Sequence, residues 1–323
     1  DTRGTDTLQF GVGISIDNIV FTGLTQGDDL LITFKNSNDS ILVKNGAYEG
    51  DKKIEKYIFA DGSELSFADV QNRAVINGTE FNDTITGSIF HEKIYGFDGN
   101  DSITSSGYDY IDGGSGNDTI INTGSNATII GGQGDDYIES AVWNDTYIFN
   151  LGDGNDTILD KNGTDTLQFG EGINAENTIF STEGSHIKIT FKNSEDSILL
   201  KDAASSSDRR IESFKYSDGT IITKEEMLQM LVNHGTSADD TMTGSVLSEK
   251  IYGYDGNDSI VSDKGDDTVY GGDGDDYIKN TNGNDYIDGG AGNDSIVLSG
   301  GYDNTVIGGL GNDSITNTGY RND

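Results

Sequence analysis

Carboxylates at a fixed spacing are the chemistry-bearing feature of this sequence. In GGDGDDYIK, Gly271 to Lys279, three glycines and three aspartates crowd into nine residues. From Gly78 the chain divides into such nonapeptides: GTEFNDTIT, GSIFHEKIY, GFDGNDSIT, an eight-residue SSGYDYID, GGSGNDTII, NTGSNATII and GGQGDDYIE. From Gly235 the scheme returns as GTSADDTMT, GSVLSEKIY, GYDGNDSIV, SDKGDDTVY, GGDGDDYIK, NTNGNDYID, GGAGNDSIV and, later, GGLGNDSIT. Glycine stands early, aspartate sixth and an aliphatic residue eighth, a period that marks a solenoid. Glycine allows the positive φ of a tight turn and leaves backbone carbonyls uncovered. The sixth-position carboxylate closes the turn, and the eighth-position Ile or Val points inward from a short strand. Two nonapeptides make a coil of 18 residues, and coils stack one strand spacing apart, about 4.8 Å. Sixth-position aspartates one coil apart therefore stand one above another, with room for a cation between them. Six or more oxygens at adaptable distances suit Ca²⁺, whereas Mg²⁺ demands a tight octahedron and Zn²⁺ wants His or Cys. Without a cation, stacked carboxylates repel strongly in a narrow core.

Alternate loops fall on opposite edges of such a coil, and the two edges differ. One carries Asp83, Asp101, Asp118, Asp136 and Asp156 in the first block, at intervals of 18, 17, 18 and 20, and Asp240, Asp258, Asp276, Asp294 and Asp313 in the second. The other carries Glu92, Asp109, Ala127 and Asp145, then Glu249, Asp267, Asp285 and Asp303. We assign the first edge as the strong calcium edge. Of the second, only Asp267, Asp285 and Asp303 are expected to add weaker sites, because a methyl at Ala127 offers no oxygen. The loops would add the carbonyls of Gly96, Asp98, Gly113, Gly114, Ser115, Gly116, Gly131, Gly132, Gln133 and Gly134 in block one. In block two they would add those of Gly253, Asp255, Gly271, Gly272, Asp273, Gly274, Gly289, Gly290, Ala291, Gly292, Gly308, Gly309, Leu310 and Gly311. Five stacked loops leave four gaps on each strong edge, so about eight or more ions are expected in all.

The elements that position these loops come in two copies. GTDTLQFG occurs at Gly4 and Gly163, ITFKNS at Ile32 and Ile189, and EKIYG at Glu92 and Glu249. Between the blocks lie runs such as TLQF, NIVF, LLITFKN, SILVKN and IEKYIFADG, whose alternation reads as antiparallel strands and hairpins. Each such module ends in a helical signal of two or three turns, SFADVQNR and TKEEMLQMLVN, the second opening on a Thr223–Glu226 capping box. The expected organisation is all-β: a β module over 1–75, a solenoid block over 76–159, a second module over 160–233 and a second block over 234–323. The opening at Asp1 and the closing NTGYRND suggest a window onto a longer repetitive protein.

Composition excludes several classes. Lys and Arg number 20 against 56 Asp and Glu, a net charge of −36, which repels nucleic acid and anionic membranes. The chain has no cysteine, hence no disulfide, thiolate metal site or thiol nucleophile. No apolar run approaches the roughly 18 residues that span a bilayer, so direct membrane insertion is not expected. His91, His186 and His234 do not recur between the copies and read as surface residues. Trp143 reads as local packing over a degenerate loop, and Arg209 with Arg210, after Asp208, as a solvated hairpin loop. Among 56 acids no pair stands apart from the repeat as a glycosidase pair would, and no nucleophile elbow or phosphate loop is present.

The pattern GGxGxDxUx, in good form at Gly113, Gly131, Gly271, Gly289 and Gly308, resembles the RTX (repeats-in-toxin) family of haemolysin-type calcium-binding proteins. The modules resemble a haemolysin-type calcium-binding-related domain through GDGNDTILD-x2-GTDTLQFGEGI at Gly152 to Ile173 and DGTIIT before the helix. The pattern fails at GSIFHE, GSVLSE and NTGSNA. The resemblance implies two parallel β-roll blocks, folding on Ca²⁺ outside the cell, export by type I secretion machinery, and a secreted or cell-surface toxin-like or adhesin parent. The segment is then expected to be non-enzymatic. The alternatives are the repeat portion of an extracellular polysaccharide-modifying enzyme whose catalytic domain lies elsewhere, and an adhesin whose modules bind a glycan or host protein.

Overall fold

The computed structural model describes residues 4–24, 29–46, 53–88, 91–205, 209–301 and 303–318. Two compact units meet in sequence at Glu171 and Gly172. Asp208 lies outside the described residues.

In the first unit, Ile19–Leu24, Asp29–Phe34 and Ser40–Val43 form an antiparallel meander. The module is not purely antiparallel as expected: Thr7–Gln9 runs parallel to Lys56–Ile58, which pairs antiparallel with Glu64–Ser66. Its core gathers Phe10, Phe21, Leu30, Ile32, Tyr57, Phe59 and Val70. The helix α1, Phe67–Gln71, starts on a Ser66–Asp69 capping box. At five residues it is shorter than the expected two or three turns.

The roll then winds as two parallel sheets. One contains Val75–Asn77, Lys93–Asp98, Tyr110–Ser115, Thr128–Gln133, Thr146–Phe149 and Thr166–Phe169. The other contains Thr84–Thr86, Ser102–Ser105, Thr119–Asn122, Tyr137–Glu139 and Asn155–Leu159. Eighth-position side chains stack in register, Ile85 on Ile103, Ile120, Ile138 and Ile158, all at most 6 % exposed. The parallel stack continues past Leu159, because Thr166–Phe169 adds to Thr146–Phe149.

In the second unit, Thr178–Glu183, His186–Phe191 and Ser197–Leu200 form a meander, and Ser213–Lys215 makes a hairpin with Ile221–Thr223. The helix α2, Lys224–Gln229, carries the expected Thr223–Glu226 capping box but again spans only six residues. Two parallel five-stranded sheets follow, from Val232–His234 to Thr305–Leu310 and from Thr241–Thr243 to Ser314–Asn317. Ile251, Ile260, Val269, Ile278, Ile287 and Ile296 fill the space between them. Among the described residues no helix is long and apolar enough to cross a membrane.

Candidate metal centre

On the strong edge each sixth-position carboxylate uses its two oxygens differently. Oδ1 accepts the backbone N–H of the aspartate one coil earlier. Asp101 thus accepts from Asp83 at 2.8 Å, Asp118 from Asp101 at 2.7 Å, Asp136 from Asp118 at 2.7 Å and Asp156 from Asp136 at 3.0 Å. Block two repeats the ladder through Asp240, Asp258, Asp276, Asp294 and Asp313 at 2.8 to 3.1 Å. Oδ2 of Asp101, Asp118, Asp136, Asp258, Asp276 and Asp294 has no hydrogen-bond partner, although these residues are at most 2 % exposed. An acceptor held dry and unpaired costs about 1–3 kcal/mol or more when charged, so six in one pattern call for a ligand.

The first-position glycines show where the ligand belongs. A Cβ built on Gly96 would stand 2.2 Å from both Asp101 Oδ2 and the Gly113 carbonyl oxygen of the next coil. On Gly113 it would stand 2.3 Å from Asp118 Oδ2 and 2.4 Å from the Gly131 oxygen, and on Gly271 2.4 Å from Asp276 Oδ2 and from the Gly289 oxygen. The missing side chain leaves a cradle where carboxylate and carbonyl oxygens converge, a donor set of the kind hard Ca²⁺ takes. Third-position carbonyls are already engaged: those of Ser115, Gln133, Asp273, Ala291 and Leu310 accept the N–H of Gly99, Gly116, Gly256, Gly274 and Gly292. The first loop of each block is different again. Asp83 Oδ2 accepts from the Thr79 N–H and Oγ1 at 2.6 and 2.8 Å, and Asp240 from Thr236 at 2.6 and 2.9 Å.

Electrostatics agree with the geometry. Burial, with neighbouring carboxylates adding, pushes Asp118 up to about 7, Asp136 and Asp276 to about 6, and Asp156 to about 8. Asp101 and Asp294 are raised for the same reasons. A divalent cation would reverse the balance by stabilising the ionised form.

The weaker edge is built from other parts. After the opening Gly87 and Gly244 its loops replace the first-position glycine with Ser105, Asn122, Ser140, Ser262 and Asn280, all buried. Their side chains occupy the place of the cradle: Ser105 Oγ donates to Asn122 Oδ1 at 2.9 Å, and Asn280 Nδ2 donates to Asp285 Oδ2 and to Ser262 Oγ. Asp109 is satisfied on both oxygens, by the N–H of Glu92 at 2.8 Å and of Gly107 at 2.9 Å. Asp267 keeps an unpartnered Oδ2, and burial raises it to about 8. Asp303 is a correction. Tyr286 pairs with Thr305, one residue beyond the 18-residue spacing, so Asn304 Oδ1 accepts the Asp285 N–H at 2.8 Å while Asp303 is exposed one position early.

A fifth-position ladder was missed by the sequence reading. Asn100 N–H donates to Asn82 Oδ1, Asn117 to Asn100, Asp135 to Asn117 and Asn155 to Asp135, at 2.8 to 3.0 Å. The signal was the recurrent Asn or Asp before each sixth-position aspartate. The other expectations fare variously. Trp143 does not pack away, being 52 % exposed. Arg209 pairs with Asp202, and Arg210 Nε donates to the Ala203 carbonyl at 2.6 Å, so both hold a loop rather than hang in solvent. His234 stacks on Tyr252 and Tyr254, His91 tilts against Tyr108, and His186 accepts the Asp202 N–H.

Coils of this kind define a class: parallel β-solenoids whose turns hold cations between successive coils. Comparison with protein families identifies the member. The RTX calcium-binding nonapeptide repeat matches residues 77–107, 95–126, 121–141, 148–175, 248–279, 281–304 and 298–316. The haemolysin-type calcium binding protein related domain matches 29–69 and 186–226. The chain belongs to the RTX family and is a calcium-binding repeat segment. No curated protein gave a match.

Proposed function

We propose that this chain is the non-enzymatic calcium-binding segment of a secreted exoprotein, toxin-like or adhesive, that leaves the cell by type I secretion and folds when it meets calcium outside. The observation that carries the reading is the row of buried, unpartnered Oδ2 atoms, each aimed at a glycine cradle. Without an ion the roll has a thin core, a single stack of aliphatic side chains on each sheet, and a row of buried carboxylates that repel one another. Ion binding offsets that repulsion, and affinity in the roughly 10⁻⁴–10⁻³ M range of extracellular modules keeps the chain unfolded where calcium is scarce. Circular dichroism in EDTA should show the blocks largely unfolded, with β signal growing on calcium addition. A spectrum unchanged across the titration would sink the reading.

The adhesin form has one observation of its own. His234, Tyr252, Tyr254, Tyr270 and Tyr286 make a row of ring contacts 5.1 to 6.0 Å apart along one face of the second roll. The first four rings stack on one another, so the row turns ring edges and polar tips outward, a surface suited to the hydroxyl groups of a glycan. Calorimetry against neutral oligosaccharides, with Tyr252→Ala as the control, tests it.

A further inference from the structure

Two loops break the nonapeptide pattern in the same way: GSIFHE at Gly87 and GSVLSE at Gly244 each carry glutamate where aspartate belongs. Glu92 and Glu249 are 1 % and 3 % exposed, and a carboxylate that dry needs hydrogen-bond donors. Some come from its own loop. Ser88 donates its N–H to Glu92 at 2.7 Å and its Oγ at 2.8 Å. Ser245 donates its N–H to Glu249 at 3.0 Å and its Oγ as well. The rest come from the β module of the same unit. Glu92 takes a hydrogen bond from the Gly23 backbone and Glu249 one from the Thr182 side chain. Gly23 and Thr182 are equivalent positions of Ile19–Leu24 and Thr178–Glu183, one strand in each copy. The extra methylene of glutamate lets its carboxylate reach beyond its own turn, where the shorter aspartate would stop.

The same module strands flank the first strand of each roll. Phe21 bridges Ala74, Thr22 Oγ1 donates to the Val75 carbonyl at 3.3 Å, and Thr182 exchanges two hydrogen bonds of 2.9 Å with the Asn233 side chain. Each glutamate also leads on to the next coil, the Glu92 N–H donating to Asp109 Oδ1 at 2.8 Å and the Glu249 N–H to Asp267 Oδ1 at 2.9 Å. We infer that Glu92 and Glu249 are positioning residues rather than ion ligands, latches that hold the first coil of each roll against its β module and so raise the calcium affinity of the stack. In a solenoid each coil is stabilised mainly by its neighbours, and the first coil lacks one. The module stands in for that neighbour through an apolar core, with Phe21, Leu30, Ile32 and Tyr57 in the first copy and Phe180, Ile187, Ile189 and Phe214 in the second. A coil already ordered binds more tightly, because less of the chain has to be ordered by the ion. The inference rests on the calcium reading of the strong edge.

The full chain carries its own control, since the two rolls give separate peptides in hydrogen–deuterium exchange and only one is altered. Exchange is followed in the wild type, Glu249→Ala, Thr182→Val and the double variant across a calcium titration. Shared over the four gaps of the strong edge, loss of the latch should raise the calcium concentration at half-protection of the second roll about two- to threefold. Thr182→Val should do the same, the double variant should go no further than Glu249→Ala, and the first roll should not move. Calorimetric stoichiometry should stay at the wild-type value, whereas loss of an ion ligand would lower it. A fall in stoichiometry, an unmoved midpoint in Thr182→Val, or shifts that add in the double variant overturn the latch. If Glu249→Ala leaves the second roll unprotected at every calcium concentration, the midpoint of Thr182→Val alone decides. Wild-type protection that ignores calcium overturns the calcium reading of the strong edge and the latch with it. Protection that follows calcium, with midpoints that do not move, overturns only the latch.

Discussion

Asp118 and Asp109 have the same side chain in consecutive turns, yet they differ in what their second oxygen meets. Asp109 Oδ2 holds the Gly107 N–H, whereas Asp118 Oδ2 holds nothing. Asp118→Ala should therefore abolish the sites shared with Asp101 and Asp136, cutting calcium stoichiometry by two, while Asp109→Ala leaves it nearly unchanged. Calorimetric titration decides between them, and equal losses would refute the two-edge assignment. The glycine offers a second test of the cradle. Gly113 does not sit at positive φ, so the obstacle to a side chain there is contact alone: its Cβ would meet Asp118 Oδ2 at 2.3 Å and the Gly131 carbonyl oxygen at 2.4 Å. Gly113→Ala should remove bound calcium and, because the Gly131 oxygen is backbone, should also loosen the stacking of the next coil. Gly114, at φ +110° and with the Phe97 oxygen 1.9 Å from a built Cβ, adds backbone strain to contact and should destabilise the roll more when changed to Ala.

At the scale of the turn, the two edges are alternative answers to the same problem of a buried carboxylate. One leaves a glycine gap for a cation, and the other inserts an amide or hydroxyl. Asn280→Gly should convert the second answer into the first, freeing Asp285 Oδ2 from the Asn280 amide. The expected result is one additional calcium per chain, the freed carboxylate oxygen exchanging the Asn280 amide for the ion. Stoichiometry that does not rise would show that the asparagine is not the obstacle. Much of this was legible in the sequence, because a nine-residue period fixes which residues stack and which point inward. The coil register and the inward isoleucines could be read that way, and the Thr223–Glu226 capping box from its own spacing, whereas the Ser66–Asp69 box emerged only in the structure. What escaped depended on contacts the period does not encode. Asp303 looked correct by counting, but an extra residue in the last coil moved Asn304 into its place. Asp160 was expected to open the second β module, yet the coil brings it beside Asp145 and Asp165 of the first roll. The parallel pairing of Thr7–Gln9 with Lys56–Ile58 joins segments too far apart in sequence for alternation to reveal.

For the whole molecule, calcium and protons should act on folding with opposite pH dependence. Asp136 and Asp276 stand at about 6, Asp118 at about 7, and Asp156 and Asp267 at about 8, all above the unfolded carboxyl value of about 3.9. The folded, calcium-free chain thus binds more protons than the unfolded one, and its stability falls as pH rises across that window. This contribution is fully present below about pH 4 and is lost as pH climbs through the folded values of about 6 to 8. In EDTA, acidification from about pH 8 to about pH 5 should raise the melting temperature and restore β signal. With calcium the order reverses, because the ion needs the carboxylates ionised, so apparent affinity should weaken over the same range. The overall charge of −36 also shrinks on acidification and relieves repulsion everywhere. Asp118→Asn separates the two effects. It changes the total charge by one, yet it should remove a raised carboxyl from the stack and flatten the EDTA curve between about pH 5 and about pH 7. Melting temperatures in EDTA that rise with pH, or an Asp118→Asn curve parallel to that of the parent, would rule out protonation of the stacked aspartates as the substitute for calcium.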